Sequence, residues 1–374
     1  MMKRITIIAL LVVSTIAASY ARQTTPAKLQ TKIETGQING APFYIEVPDN
    51  WNRGLVMYCH GYEMPGNPPV NWNDEGPKKL REVFLSRGFA FAASAYRTQG
   101  WAVKEALEDT EALRRYFIKK HGQPRETFIT GHSMGGHLSM AIIEKYPNFY
   151  DGALPLCGPL GAAVDFMERR VFDMLVTFEY YFPGTIGSPV DVAMDRAAIF
   201  ASAGKAKAAM DAAPEKAEMF ARHFNVSVKE LPQVLGFFKL IMAEMKQRAG
   251  GNPFDNRNTI YSGFDDDAAV NRGVKRYAAD QKARDYLRQY YTPTGRITDP
   301  VLTVHTTYDQ LVPASDVNNY DSLTAIAGAQ DLFVERFVVA SGHCNIASEK
   351  IAAAFDALLA WVHEHKRPAS GEIP

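Results

Sequence analysis

The feature that most constrains this chain is Gly131-His132-Ser133-Met134-Gly135-Gly136, which follows the β-branched and aromatic run Thr127-Phe128-Ile129-Thr130 and precedes an amphipathic segment ending near Tyr146-Pro147. Gly-x-Ser-x-Gly-Gly between a strand pattern and a helix pattern is the setting a nucleophile elbow requires. A serine pointing out of so tight a turn sits in a strained backbone conformation, so its neighbours two residues away must lack bulk. Gly131 and Gly135 meet that condition, and Gly136 lets the helix lie close against the strand. The first N–H groups of the helix are left unpaired and point towards the serine, so the Met134 N–H can serve an oxyanion. Ser133 is therefore the expected nucleophile, provided that partners follow in the right order.

The chain opens with Met1-Met2-Lys3-Arg4, runs almost wholly apolar from Ile5 to Ala18 and reaches small residues at Ser19 and Ala21. This pattern predicts a cleavable secretory signal over residues 1–21 and a secreted or periplasmic protein. The apolar run is too short for a comfortable permanent span, and no later stretch approaches the roughly 20 residues a span needs, so no stable membrane anchor is expected. With 41 basic and 41 acidic residues the net charge is zero, which removes the electrostatic case for a nucleic-acid partner. The three cysteines, Cys59, Cys157 and Cys344, are too few for a disulfide scaffold, although an oxidising compartment permits one bridge. Neither they nor the scattered histidines have metal-ligand spacing, and no metal or organic cofactor is expected.

The order of patterns then predicts the architecture. A strand over Phe43 to Val47 is followed by Leu55-Val56-Met57-Tyr58-Cys59, a continuous apolar run suited to a strand buried on both faces of a mostly parallel sheet. It stops at His60-Gly61-Tyr62, where glycine admits unusual backbone angles and the Tyr62 N–H becomes the second oxyanion donor; His60 itself reads as a structural residue of the loop. Residues 63–77 form an irregular loop carrying Trp72, after which come a helix over 78–87, a strand over 89–95, and a helix with apolar positions at Val103, Leu107, Leu113 and Phe117. A short strand at 152–158 follows the elbow helix. Alternating strands and helices predict a parallel sheet with right-handed crossovers.

From 159 to 296 the alternation breaks off, and helical patterns occupy 193–212, 216–224, 231–249 and 274–290. This segment is expected to be a helical cap inserted between a first core part, 22–158, and a second, 297–374. Its aromatic and methionine residues, among them Phe178, Tyr180, Tyr181, Phe182, Phe237, Phe238, Met242 and Met245, suit either an acyl pocket or ordinary packing. Residues 252–267, with the charge run Asp265-Asp266-Asp267, lack the pattern of a calcium loop and read as a solvated loop. Strands resume at 300–305 and 332–339, each ending in polar residues. The first leads to Asp309-Gln310-Leu311-Val312-Pro313, the second to Gly342-His343-Cys344, and a helix over 348–363 closes the chain.

Ser133, Asp309 and His343 each follow a different strand, and their chain order is that of the α/β-hydrolases. Asp316 and Asp331 are the rival acids, one too far past its strand and the other before the last strand; His363 and His365 sit on the terminal helix and are expected to face solvent. Over essentially the whole mature chain the sequence resembles the α/β-hydrolase superfamily in its elbow, His-Gly turn, Asp-x-x-Val-Pro turn and Gly-His turn. The resemblance implies an α/β-hydrolase fold, a mostly parallel central sheet flanked by helices, with His343 as general base, Asp309 orienting it, and Tyr62 and Met134 as the oxyanion hole. Cys344 directly after the histidine is similar to secreted tannases and feruloyl esterases, which bridge that cysteine to one before the nucleophile. Here that position is His132, so that bridge cannot form; a bridge from Cys344 to Cys157 or to Cys59, and a free buried thiol, stay open.

The expected function is a secreted serine hydrolase cleaving a small-molecule or polymer-derived carboxylic ester. A serine peptidase of the prolyl oligopeptidase kind is the first rival, since the same triad cleaves amides, and a non-catalytic binding protein on the same fold is the second. A haloalkane dehalogenase would need an aspartate where Ser133 stands. Fold alone does not choose among the remaining chemistries.

Overall fold

The computed structural model describes residues 30–161, 163–192 and 194–374. The expected signal segment, 1–21, lies outside the described residues. Among the described residues nine strands form one sheet. β1 (Thr31–Ile38) and β2 (Ala41–Pro48) form an antiparallel hairpin, and β2 runs antiparallel to β4 (Ala90–Ser94). From β4 onward, through β3 (Gly54–Cys59), β5 (Glu126–His132), β6 (Gly152–Leu156), β7 (Val301–Tyr308), β8 (Phe333–Ser341) and β9 (Gly371–Glu372), every pairing is parallel. This is the α/β-hydrolase fold.

β3 shows why its apolar run is unbroken. Leu55, Met57 and Cys59 pack into the core on one face of the sheet, and Val56 and Tyr58 into the core on the other. A strand covered on both sides needs no polar alternation. The helices α1 (Glu75–Leu85), α2 (Val103–His121), α3 (Met134–Lys145), α10 (Ser315–Ala327) and α11 (Ser348–Glu364) flank the sheet.

Between β6 and β7 the chain is helical. A π-helical run, Val164–Phe172, continues into α4 (Asp173–Tyr181), followed by α5 (Arg196–Ala212), α6 (Pro214–His223), α7 (Leu231–Ala249), α8 (Asp267–Gly273) and α9 (Gln281–Tyr291). α7 has the bounds expected of it. The pattern read as one helix over 274–290 is helical only from Gln281, because the preceding backbone is bound by Asn256. Its side chain accepts the Tyr277 N–H at 2.7 Å and donates to the Lys275 carbonyl at 3.0 Å. The same contacts correct the reading of 252–267 as solvated, since Phe254 and Asn256 are fully buried and Tyr261 nearly so. Among the described residues no helix is long and apolar enough to cross a membrane.

Candidate active site

The elbow has the geometry its glycines call for. Ser133 stands between β5 and α3 at φ 56° and ψ −122°, a left-handed conformation that a serine rarely adopts. A Cβ on Gly131 or Gly135 would collide with the Cys59 carbonyl, and one on Gly136 would lie 2.8 Å from Gly158 Cα. The next loop is pressed on from the side, for a Cβ on Gly61 would sit 3.3 Å from Ser133 Cβ. Tyr62 therefore follows a loop position set close beside Ser133, while Met134 opens the helix behind it.

The three residues singled out by chain order meet at the carboxyl edge of the sheet. His343 Nε2 lies 2.8 Å from Ser133 Oγ, and His343 Nδ1 lies 2.6 Å from Asp309 Oδ2. The second carboxylate oxygen of Asp309 accepts the N–H groups of Leu311 and Val312, both at 2.9 Å, which is what the turn after β7 accomplishes. Burial raises the Asp309 carboxyl, but the hydrogen bond and charge of His343 and the Val312 N–H outweigh it, so it is held below its ordinary value. The rival acids are elsewhere. Asp316 is buried and accepts the Gly161 N–H at 3.0 Å, and burial raises it to about 7; Asp331 lies in a short 3-10 turn before β8. Both rival histidines are exposed, with His363 held 2.5 Å from Glu126.

Three further histidines stand near these residues, His305 among them with its Nε2 2.8 Å from the Val312 carbonyl and 3.8 Å from Asp309 Oδ2. His132 pairs its Nδ1 with Tyr58 Oη at 3.1 Å, and burial together with the nearby His343 pushes it down to about 4. It stays neutral beside His343. His60 fills the structural role expected of it, with Nδ1 2.7 Å from the Gly61 carbonyl and its ring stacked on Tyr96. Cys344 is bonded to Cys157, which ties the turn carrying His343 to the end of β6, and Cys59 is a free, buried thiol that burial raises to about 12.

The helical segment covers this edge. Phe166 and Val171 of the π-helical run and Phe237, Phe238 and Ile241 of α7 line, with Ser133, His343 and Trp101, a cavity of only about 10 Å³, roughly the space of one water. Of the apolar residues weighed for a pocket, Phe237 and Phe238 reach it; Phe178 and Met245 are fully buried in packing. A larger cavity of about 420 Å³ is lined by Tyr58, His60, Gly61, Tyr62, Trp72 and His132, and neither Ser133 nor His343 is in its wall.

Glu244 joins cover to core. From α7 it accepts hydrogen bonds from the Tyr62 hydroxyl and, at 2.7 Å, from the Trp101 backbone N–H. Gly100, at φ 85°, is required beside it, because a Cβ there would strike the Glu244 carboxylate. Burial raises the Glu244 carboxyl above its ordinary value against the pull of those two donors. Arg170 makes a second join, donating to the Gln310 carbonyl at 2.9 Å directly after Asp309, and also to the Phe224 carbonyl. Neither residue carries a sequence signal, since each is a charged side chain in a helical pattern whose partner is distant in the chain.

Residues 37–278, more than half of the chain, match the model of the tannase-like family of unknown function (DUF6351). The chain belongs to that family. The tannase-like assignment agrees with the α/β-hydrolase superfamily read from the motifs. The o-phthalyl amidase of Xanthobacter agilis is similar, 23% identical over 408 positions that span 90% of this chain and 87% of that protein. Among solved structures the chain is similar to the esterase Pf2001 of Pyrococcus furiosus, at 12% identity and a TM-score of 0.48, over 88% of this chain and 91% of that one. It is also similar to Est1E from Butyrivibrio proteoclasticus, at 13% identity and a TM-score of 0.42, over 89% and 98%.

Proposed function

We propose that this tannase-like protein is a serine hydrolase that cleaves a carboxylic ester through an acyl-enzyme. The observation that carries the reading is the unbroken chain Asp309 Oδ2, His343 Nδ1, His343 Nε2 and Ser133 Oγ, with links of 2.6 Å and 2.8 Å. His343 takes the Ser133 proton as Oγ attacks the carbonyl carbon, and returns it to the departing alkoxide. Asp309 fixes the tautomer of His343 and stabilises its cation. The N–H groups of Tyr62 and Met134 hold the oxyanion, a donor of that kind being worth about 3 kcal/mol. Water then enters and gives a proton to His343 as its oxygen attacks the acyl carbon; the acyl–Oγ bond breaks, His343 returns the proton to Ser133 Oγ, and the acid is released.

An amide substrate is the second reading, favoured by the likeness to an amidase over 90% of the chain. The same steps serve it, with His343 protonating an amine. Export through residues 1–21 belongs to this proposal as well, and the Cys157–Cys344 disulfide supports it, because such bonds persist in oxidising compartments.

The test is the mature protein beside Ser133→Ala, given an aryl ester and the matched aryl amide while chromophore release is followed. Ester turnover that falls by about 10⁶ in kcat in the variant is the expected result. Undiminished turnover by Ser133→Ala overturns the mechanism, and faster cleavage of the amide than of the ester by the wild type transfers the proposal to the second reading.

A further inference from the structure

His305 touches the turn that carries Asp309 and takes no part in the proton relay. It lies in β7, 3% exposed, with its Nε2 2.8 Å from the carbonyl of Val312, seven residues on. A bulge at the end of β7, between Thr306 and Tyr308, bends the chain into that turn. A carbonyl only accepts, so Nε2 carries a proton and donates it. Burial holds the ring below its ordinary value and therefore neutral, which leaves Nδ1 bare. Nδ1 is buried and has no hydrogen-bond partner. The opposite tautomer would set the lone pairs of Nε2 and of the Val312 carbonyl against each other and strand the Nδ1 proton as well. The turn thus decides the tautomer, and a buried lone pair is left unpaired for it.

The turn is gripped through four of its backbone groups. The N–H groups of Leu311 and Val312 donate to Asp309 Oδ1, each at 2.9 Å, while the Gln310 carbonyl accepts Arg170 at 2.9 Å and the Val312 carbonyl accepts His305. The first two contacts fix the carboxylate to the turn. The last two fix the turn to the molecule, one from the helical cover and one from the sheet. Val312 is the pivot, since its N–H holds the carboxylate and its carbonyl is held by His305. Nε2 of His305 stays 3.8 Å from Asp309 Oδ2, too far for a hydrogen bond, so that oxygen is left to His343 Nδ1 at 2.6 Å. We infer that His305 is a positioning residue: its Nε2–H holds the Val312 carbonyl and, through it, aims the Asp309 carboxylate at His343. This rests on the proposed serine mechanism and names what aims its acid.

The test is His305→Phe beside His305→Gln, whose amide nitrogen stands where Nε2 does, in the otherwise intact protein with folding checked by circular dichroism and thermal unfolding. On para-nitrophenyl acetate, kcat is expected to fall about tenfold to a hundredfold in His305→Phe with KM changed less than about twofold, and to return to within about threefold of the wild type in His305→Gln. The downfield proton resonance of His343 Nδ1–H, bound to Asp309, should move or vanish in His305→Phe and persist in His305→Gln. A merely structural role would lower stability and leave that resonance in place. A folded His305→Phe that keeps kcat within about threefold, or keeps the resonance unmoved, overturns the inference, and so does a His305→Gln as impaired as His305→Phe. If His305→Phe does not fold, the wild type decides. Long-range proton–nitrogen correlation on histidine-labelled protein should then give His305 as the neutral Nε2–H tautomer, its signal assigned by its absence from the variants, and the Nδ1–H tautomer overturns the inference. Both spectra are read without turnover. A wild type that cleaves no ester therefore removes the esterase reading, while the resonance and the tautomer still decide whether His305 aims Asp309.

Discussion

The sheet edge that holds the triad and the helical cover above it are built on opposite principles. At the edge, backbone geometry does the positioning: strained Ser133, glycines that no Cβ can replace, and a carboxylate fixed by two N–H groups of its own turn. In the cover, side chains do it, with Glu244 and Arg170 reaching from helices to single points of the core. Position is therefore set by backbone at the edge and by long side chains in the cover. The cavities teach the same lesson, because the roomy one, about 420 Å³, lacks the triad, whereas the one holding Ser133 is nearly filled by α7 and the π-helical run. Volume alone points away from Ser133.

That division can be broken or sharpened by substitution. The largest effect expected is at the edge: Asp309→Asn should lower kcat by about 10⁴ with folding intact, since the wrong His343 tautomer is then favoured. Steady-state kinetics on an aryl ester check it, and a loss under tenfold would separate Asp309 from the chemistry. Next comes the bridge between the edge and its neighbour strand. Replacing Cys157 and Cys344 together by serine should cost about 2–5 kcal/mol of stability. Denaturant unfolding with and without reductant reads this, and the wild type should lose the same amount when reduced.

The smallest effect is expected at the join. Glu244→Gln should lower kcat/KM about tenfold by weakening the hold on Tyr62 and Trp101. It also carries a pH signature. The native Glu244 carboxyl is raised by burial, so as pH climbs the unfolded chain releases its proton first, and the wild type loses stability between the ordinary carboxylate range and the raised native value. Glu244→Gln should lack that slope in unfolding measured across this range. An identical slope in both proteins would mean that the carboxyl is not held above its ordinary value.

The same contrast explains what the sequence made legible. Strands buried on both faces announce themselves as apolar runs, and Ser133, Asp309 and His343 sit at strand ends where turn residues mark them. β1 escaped notice because most of its residues are exposed or half-buried and it joins the sheet only at an edge. The π-helical run escaped because Phe166, Met167, Val171 and Phe172 recur at a spacing wider than the α-helical period. Of the readings left open for Cys344, pairing with Cys157 is the one realised, a matter of distance across the sheet that no local pattern encodes. Trp101 and Glu244 are likewise ordinary residues until folding brings α7 against the start of α2.

The position of the cover in the strand order has a consequence for descent. β6 and β7 are adjacent and paired, Ala153 with Val301 and Leu156 with Val304, so the chain leaves the sheet and returns to it one strand away. Everything between is an excursion that starts and finishes at the same place. Such a segment can lengthen, shrink or be exchanged for another without rethreading a single strand, and a lineage can change the molecules it admits while inheriting its reacting atoms unaltered.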